Sequence, residues 1–349
     1  MVGRLALRCT VLAALALADP KPCAAEIPQL TQDVLSWLPD DTESVVAAGA
    51  FKMRNNRKVS RYESMYPRKA SVWRLRSMAI SPMRLLEHGK YYKKLTGTRV
   101  RLAVGAGRNF ELLNSRGNRR FQGCHVIVCE DLGQTYDWMV DALRDDAKSI
   151  RHTSGHEVFV FDSFLKNNKS VEEEGWEGVF VALPDNNTIL CGSHEAFLAE
   201  ILRRRQDSKQ DRRLPGRLDV WNQVDHSSTA WLARWFDGEA ASACVINVCP
   251  QGRAELQAVY LPSENSPDGP RALAESRWYA VPVGLRPEIR ESADGSVSVR
   301  LSFEPADSQV SIFSGGVLRF VLSGTYADHF TTPRIRDITP GDSIDGQSR

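Results

Sequence analysis

Past residue 25 the chain holds no apolar run near the roughly 20 residues that a bilayer-spanning helix needs. It also lacks the short signatures of several common chemistries. No glycine-rich loop ends in Gly-Lys-Ser/Thr, no His-Glu-x-x-His occurs, and there is no Gly-x-Ser-x-Gly turn. As local motifs, a P-loop, a zincin helix and a hydrolase nucleophile elbow are therefore excluded. Gly105-Ala-Gly107 follows a strand-like run, but Phe110 stands where a dinucleotide fingerprint has its third glycine, so that reading is set aside. What survives is an active site whose Ser, His and carboxylate converge only on folding, or no active site at all.

Cysteine is sparse, at seven in 349 residues, and two of these, Cys9 and Cys23, fall in the first 25. That N-terminal stretch has a signal-peptide layout. Arg4 and Arg8 precede an apolar run from Cys9 to Ala18, and Cys23-Ala-Ala25 offers small residues before Glu26. We expect export with cleavage after Ala25; the competing readings are an organellar transit peptide and a helix that simply packs. Lys21-Pro22 speaks against a lipid anchor at Cys23. The five remaining cysteines are Cys124, Cys129, Cys191, Cys244 and Cys249. Cys124-His-Val-Ile-Val-Cys129 and Cys244-Val-Ile-Asn-Val-Cys249 read as strands, in which residues five apart point to opposite faces about 16 Å apart. One metal ion cannot bridge them, so these are expected to be buried strand thiols or, in an oxidising compartment, to form a disulfide between the two segments. His152 and His156 flank Ser154-Gly155, which reads as a turn and not as a metal-binding helix. No metal or cofactor is expected.

Acidic residues are scarce in one stretch. Residues 51–120 contain 19 Lys or Arg but only Glu63, Glu87 and Glu111 as acids, giving +16. The whole chain is +2, and residues 1–25 carry that +2 (Arg4, Arg8 and Lys21 against Asp19), so the rest of the mature chain must carry −16. Such asymmetry fits either an anionic partner or neutralisation by an acidic surface of the same molecule. On the first reading, Lys52, Arg54, Arg57, Lys58, Arg61, Arg68 and Lys69, interleaved with Tyr62, Tyr66 and Trp73, bind a polyanion. Export favours anionic polysaccharide or lipid headgroups over nucleic acid. On the second, a basic helical segment docks on an acidic sheet. The acidic runs Asp145-Asp146 and Glu172-Glu-Glu174 sit in polar surroundings and read as solvated, and Asn168-Lys-Ser170 and Asn186-Asn-Thr188 match the glycosylation sequon.

Periodicity predicts helices over 31–38, much of 72–95, a face of Tyr136, Met139, Val140 and Leu143, and a helix capped by Ser193 that turns Phe197, Ile201 and Leu202 inward. Strands are predicted over 44–51, 99–104, 124–129, 156–161, 178–183, 243–248, 254–261, 278–283, 296–303 and 310–313. The charged run 206–217 marks a boundary, giving a signal over 1–25, an α+β half over 26–215, a strand-rich half over 216–330 and a disordered tail over 331–349. Trp37 stands four residues before Asp41 and leads into one strand; Trp221 stands four before Asp225 and leads into another. This pattern is either an internal duplication or a chance likeness of short strands.

The signal-like start, Trp37-Leu-Pro-Asp-Asp41, Phe121-Gln-Gly-Cys124, Ile189-Leu-Cys-Gly-Ser193 and Trp231-Leu-Ala-Arg-Trp235 resemble a group of uncharacterised, exported, planctomycete-like bacterial proteins across residues 26 to 330. The resemblance implies export and a two-half α+β layout; it carries no activity, cofactor or catalytic residue. The sequence thus predicts an α+β fold of mostly antiparallel sheets with packed helices. Its expected role is that of a non-enzymatic envelope protein with a basic surface. An exported hydrolase with a dispersed active site, and a purely structural or assembly role, remain the alternatives.

Overall fold

The computed structural model describes residues 27–53, 90–113, 119–161, 177–207, 213–216, 221, 224–236, 242–248, 254–260, 262, 269–278 and 287–303. In chain order these form α1 (Gln29–Trp37), β1 (Ser44–Ala48), β2 (Phe51–Lys52), α2 (Lys90–Leu95), β3 (Arg99–Leu113), β4 (Arg119–Cys129), α3 (Gln134–Asp146), β5 (Ser149–Thr153), β6 (His156–Phe161), β7 (Val179–Asp185), β8 (Thr188–Gly192), α4 (Glu195–Gln206), β9 (Ala230–Phe236), β10 (Ser242–Val248), β11 (Ala254–Tyr260), α5 (Gly269–Trp278), β12 (Glu288–Glu291) and β13 (Val297–Phe303). The class is α+β, as the sequence predicts.

One antiparallel sheet runs β12-β13-β11-β10-β9-β1-β3-β4-β8-β7-β6-β5, with β2 added to β3 beside β1. Within it β1 pairs with β9, Ser44 opposite Arg234 and Ala48 opposite Ala230, so residues on either side of the charged run 206–217 share a single sheet. No described helix is long and apolar enough to cross a membrane.

The layering follows from side-chain alternation. β4 is apolar on both faces. Cys124, Val126 and Val128 enter one core with Val34 and Leu35 of α1 and Phe197, Leu198, Ile201 and Leu202 of α4. Ile127 and Cys129 enter the other with Tyr91 of α2 and Met139, Ala142 and Leu143 of α3. Cys124 and Cys129 therefore lie on opposite faces, as their spacing requires. Full burial of each large apolar side chain contributes about 1.5–3 kcal/mol, so the four α4 residues fasten that helix firmly. By contrast β13 alternates strictly, with Val297, Val299 and Leu301 buried and Arg300 exposed. It buries one face only, on the side where Ala274 of α5 packs.

Local chemistry sets the boundaries. Pro39 cannot continue α1, and Leu38 is already extended at φ −72°, ψ 142°. The β5–β6 hairpin turns on Ser154 (φ 48°) and Gly155 (φ 71°), the two-residue turn expected from Ser-Gly. Arg99–Leu113 and Arg119–Cys129 make a longer hairpin than the short strands predicted.

Three expectations are corrected. Ser193 is not the cap of α4: His194 occupies that position, and the Ser193 hydroxyl accepts the Gly123 N–H at 2.9 Å instead. Trp278 ends helix α5 and starts no strand, because its segment carries the good helix formers Arg271, Ala272, Leu273, Ala274 and Glu275, while residues 279–286 lie outside the described residues. Cys124, Cys129 and Cys191 are free thiols, so no disulfide joins Cys124 or Cys129 to the later segment.

Candidate functional site

Three groupings carry chemistry. The first is a basic corner where β2, α2 and the start of β3 meet. Main-chain bonds close it: Met53 N–H donates to Thr98 O at 2.9 Å and Gly97 N–H to Met53 O at 3.0 Å. Because of these bonds the two ends of the basic segment 54–89, at Met53 and Lys90, are both attached to this corner. α2 is fastened to α3 by Lys90, 3.0 Å from Asp146, and by Tyr91, whose hydroxyl lies 2.8 Å from Ala142 O and 2.6 Å from Asp146. Burial first, and Asp146 second, push the Tyr91 hydroxyl well above its ordinary value, so it stays a donor. Lys94 lies over the Trp138 ring at 5.4 Å. At β3, Val100 pairs with Cys129 and Leu102 with Val128, so Arg101 is the extra residue of a bulge and stands exposed.

Of the polyanion-binding residues predicted from sequence, Lys52 is exposed in this corner, and Arg54, Arg57, Lys58, Arg61, Arg68 and Lys69 lie outside the described residues. Lys90, Lys93, Lys94, Arg99 and Arg101 join Lys52 here and are likewise exposed. Charge alone could have marked them, but nothing in the sequence shows that β2 and β3 bring Lys52 against Arg99.

The second grouping is an open cleft of ≈ 420 Å³ between α3, the β5–β6 turn and β7. Arg144 crosses it, 2.9 Å from Glu157 and 3.8 Å from Asp141. Tyr136 donates to Leu183 O at 3.3 Å; burial raises its pKa, with Asp185, Asp137 and Glu157 adding to the effect. His156 meets the Gln206 amide at 3.0 Å, and burial, with Arg205 second, lowers its pKa, which leaves it neutral at pH 7. The imidazole thus faces an amide and not a carboxylate, as a general base in a triad would.

The third is a serine–imidazole contact at the start of α4. Ser193 Oγ is 2.8 Å from His194 Nδ1. Both are enclosed, at 1% and 2% exposure, and the hydroxyl also holds the Gly123 main chain. Its role is to latch α4 onto β4. The buried thiols are similarly placed in the core: burial pushes Cys129 and Cys191 up to about 12, far from a nucleophile's range.

The Pro39-Asp40-Asp41 run has a structural use. Asp41 accepts two bonds of 2.7 Å from Arg108 Nη1, whose Nε donates to Gln122 at 2.8 Å and whose guanidinium lies 4.8 Å over the Phe197 ring. Asp40 accepts from Arg204 of α4 at 3.0 Å, and that bond holds its carboxyl below the ordinary range. The turn therefore clamps α1, β3 and α4 together.

No family model, no curated protein and no solved structure matches the chain.

Proposed function

We propose that the chain is a non-enzymatic, exported protein of the cell envelope that contacts an anionic polymer or membrane headgroups through its basic surface. The observation that carries this reading is the corner itself: six exposed cations, Lys52, Lys90, Lys93, Lys94, Arg99 and Arg101, stand where both ends of the basic segment 54–89 attach. Two of the six meet carboxylates at the surface, Lys90 with Asp146 and Arg99 with Glu130. Exposed pairs of this kind are weak and screened by salt, and they leave most of the field available for an anionic partner.

The signal-like N-terminus supports export, and membership of the exported planctomycete-like group belongs to the same proposal. So does a duplication: β1 and β9 are antiparallel neighbours inside the sheet, each leads outward through two further antiparallel strands (β3 and β4; β10 and β11), and each set is followed by a helix, α3 or α5. The test is retention of the mature chain on heparin and on anionic liposomes across a salt series, beside the variant R54S/R57S/K58S/R61S. Retention that falls with salt and falls further in the variant is expected. No retention at low salt would place the +16 in internal neutralisation.

A further inference from the structure

The sheet ends in two strands with one described neighbour each, β5 beside β6 and β12 beside β13. An edge strand offers main-chain groups to which another strand can pair. Most residues of both strands are exposed. Ile150 of β5, at 40%, is the one large apolar side chain exposed among the described residues.

The two edges match in direction, in layer and in hydrogen-bonding phase. The path from β12 to β5 has twelve strands, and each neighbouring pair is antiparallel, so β5 and β12 run in opposite directions. A second copy set beside the first in the same orientation therefore continues the antiparallel order. Ile150 stands opposite Phe159 and Ile289 opposite Val299, and both partners belong to the core layer that holds Met139 of α3 and Ala274 of α5. The two isoleucines thus meet on one face of the extended sheet. Thr153 and His156 flank a two-residue turn, and Ser292 N–H donates to Ser296 O at 2.9 Å. Alternation from these two turns directs the main-chain groups of Ile150 and Ile289 away from β6 and β13, toward an added strand.

Placing Ile150 opposite Ile289 sets the rest of the register. Lys148 falls opposite Glu291 and Arg151 opposite Glu288. Opposite charges across a strand pair attract. Pairing β5 with another β5 about Ile150 would instead set Lys148 against His152, and pairing β12 with β12 would leave Ile150 exposed. Arg151 already meets Glu195, Glu291 meets Arg271 and Glu288 meets Arg290, but these are surface pairs, weak and screened, and they exchange readily. We propose that β5 of one copy pairs with β12 of a second copy of this chain in that register, joining their sheets edge to edge. Because the two surfaces differ, the contact is heterologous and repeats from copy to copy. It uses the sheet edges and stands independently of the polyanion reading of the basic corner.

The test is sedimentation of the mature chain up to about 1 mM, beside two charge reversals, K148E/R151E and E288K/E291K, with thermal melts confirming that both fold. The wild type should associate beyond a dimer as concentration rises, and less so at high salt. Each reversal alone places like charges across the contact and should associate about tenfold more weakly or less still. Mixed in equal amounts, the two should recover association, since each then meets an edge of opposite sign. In the wild type, amide exchange at β5 and β12 should slow with concentration, a readout that needs no variant. Dimers that persist in K148E/R151E and vanish in E288K/E291K would show a closed β12–β12 pair and overturn the proposal. So would a mixture that fails to associate, or a wild type that stays monomeric through the series.

Discussion

Gly105 is predicted to be intolerant of even one methyl group, and the cause is the imidazole beside it. It stands in the interior of β3 opposite His125 of β4. A Cβ there would lie 2.7 Å from His125 Cε1, 3.0 Å from Nδ1 and 3.0 Å from Val46 Cγ1. His125 is 6% exposed and Val46 belongs to the core, so neither can swing into solvent. Overpacking a filled core costs about 1–3 kcal/mol, while replacing a strand glycine recovers roughly 0.5–1 kcal/mol of backbone entropy. Gly105→Ala should therefore destabilise the fold by about 1–2 kcal/mol in urea unfolding. His125→Ala opens the space, so adding Gly105→Ala to it should cost about 1 kcal/mol less than in the wild type, with the Val46 approach accounting for what remains. If Gly105→Ala unfolds at the wild-type midpoint, or if its cost is undiminished in the His125→Ala background, the steric account is wrong.

The clamp at Asp41 predicts that Asp41→Ala lowers stability by about 1 kcal/mol: a hydrogen bond to a charged group is worth about 1.5–3 kcal/mol, reduced here because the Asp41 side chain is 60% exposed and solvent screens it. A double-mutant cycle with Arg108→Met checks it, and a coupling energy of zero would refute the clamp. His226 predicts a pH dependence. It is 9% exposed and packs edge-on against Trp231 at 5.4 Å. Burial lowers its pKa against the opposing pull of the Trp221 main chain and Asp225. The unfolded chain thus binds more protons below about pH 6.5, and stability should fall with pH there by at most about 1.4 kcal/mol per unit. His156 shifts the same way, so His226→Phe is compared with His156→Gln in urea melts from pH 7 to pH 5. An unchanged slope in His226→Phe would refute the assignment.

The elements legible in the sequence are those whose pattern is decided locally. Tyr136, Met139, Val140 and Leu143 repeat at helical spacing, and α3 forms there with Met139 and Leu143 fully in the core. Ser154-Gly155 requires left-handed backbone, and the hairpin follows. The turns and strands that escaped are those decided by partners far along the chain. β5 reads Ser-Ile-Arg-His-Thr, with four of its five residues exposed, and becomes a strand because β6 folds back on it. Arg108, in a strand interior, looks like a solvated charge until Asp41, 67 residues away, and Gln122 close around it. Gly105-Ala-Gly107 resembles half of a nucleotide turn because the sequence cannot show that His125 lies across it.

The same limit governs the charge map. The excess of +16 in residues 51–120 is a sum along the chain, and a sum is indifferent to whether two cations face one another or stand on opposite sides of a sheet. Only the β2–β3 register, with Phe51 opposite Val100 and Lys52 opposite Arg99, shows that two of those cations stand directly across from one another. Phe51 and Val100 turn toward the core while Lys52 and Arg99 remain exposed, so the alternation that anchors β2 also presents its cation outward. Moving the strand by one residue would bury Lys52 and expose Phe51, and the burial of Phe51 and Val100 prevents it. The packing that holds the corner in place is therefore what keeps Lys52 and Arg99 on the outer side of this strand pair.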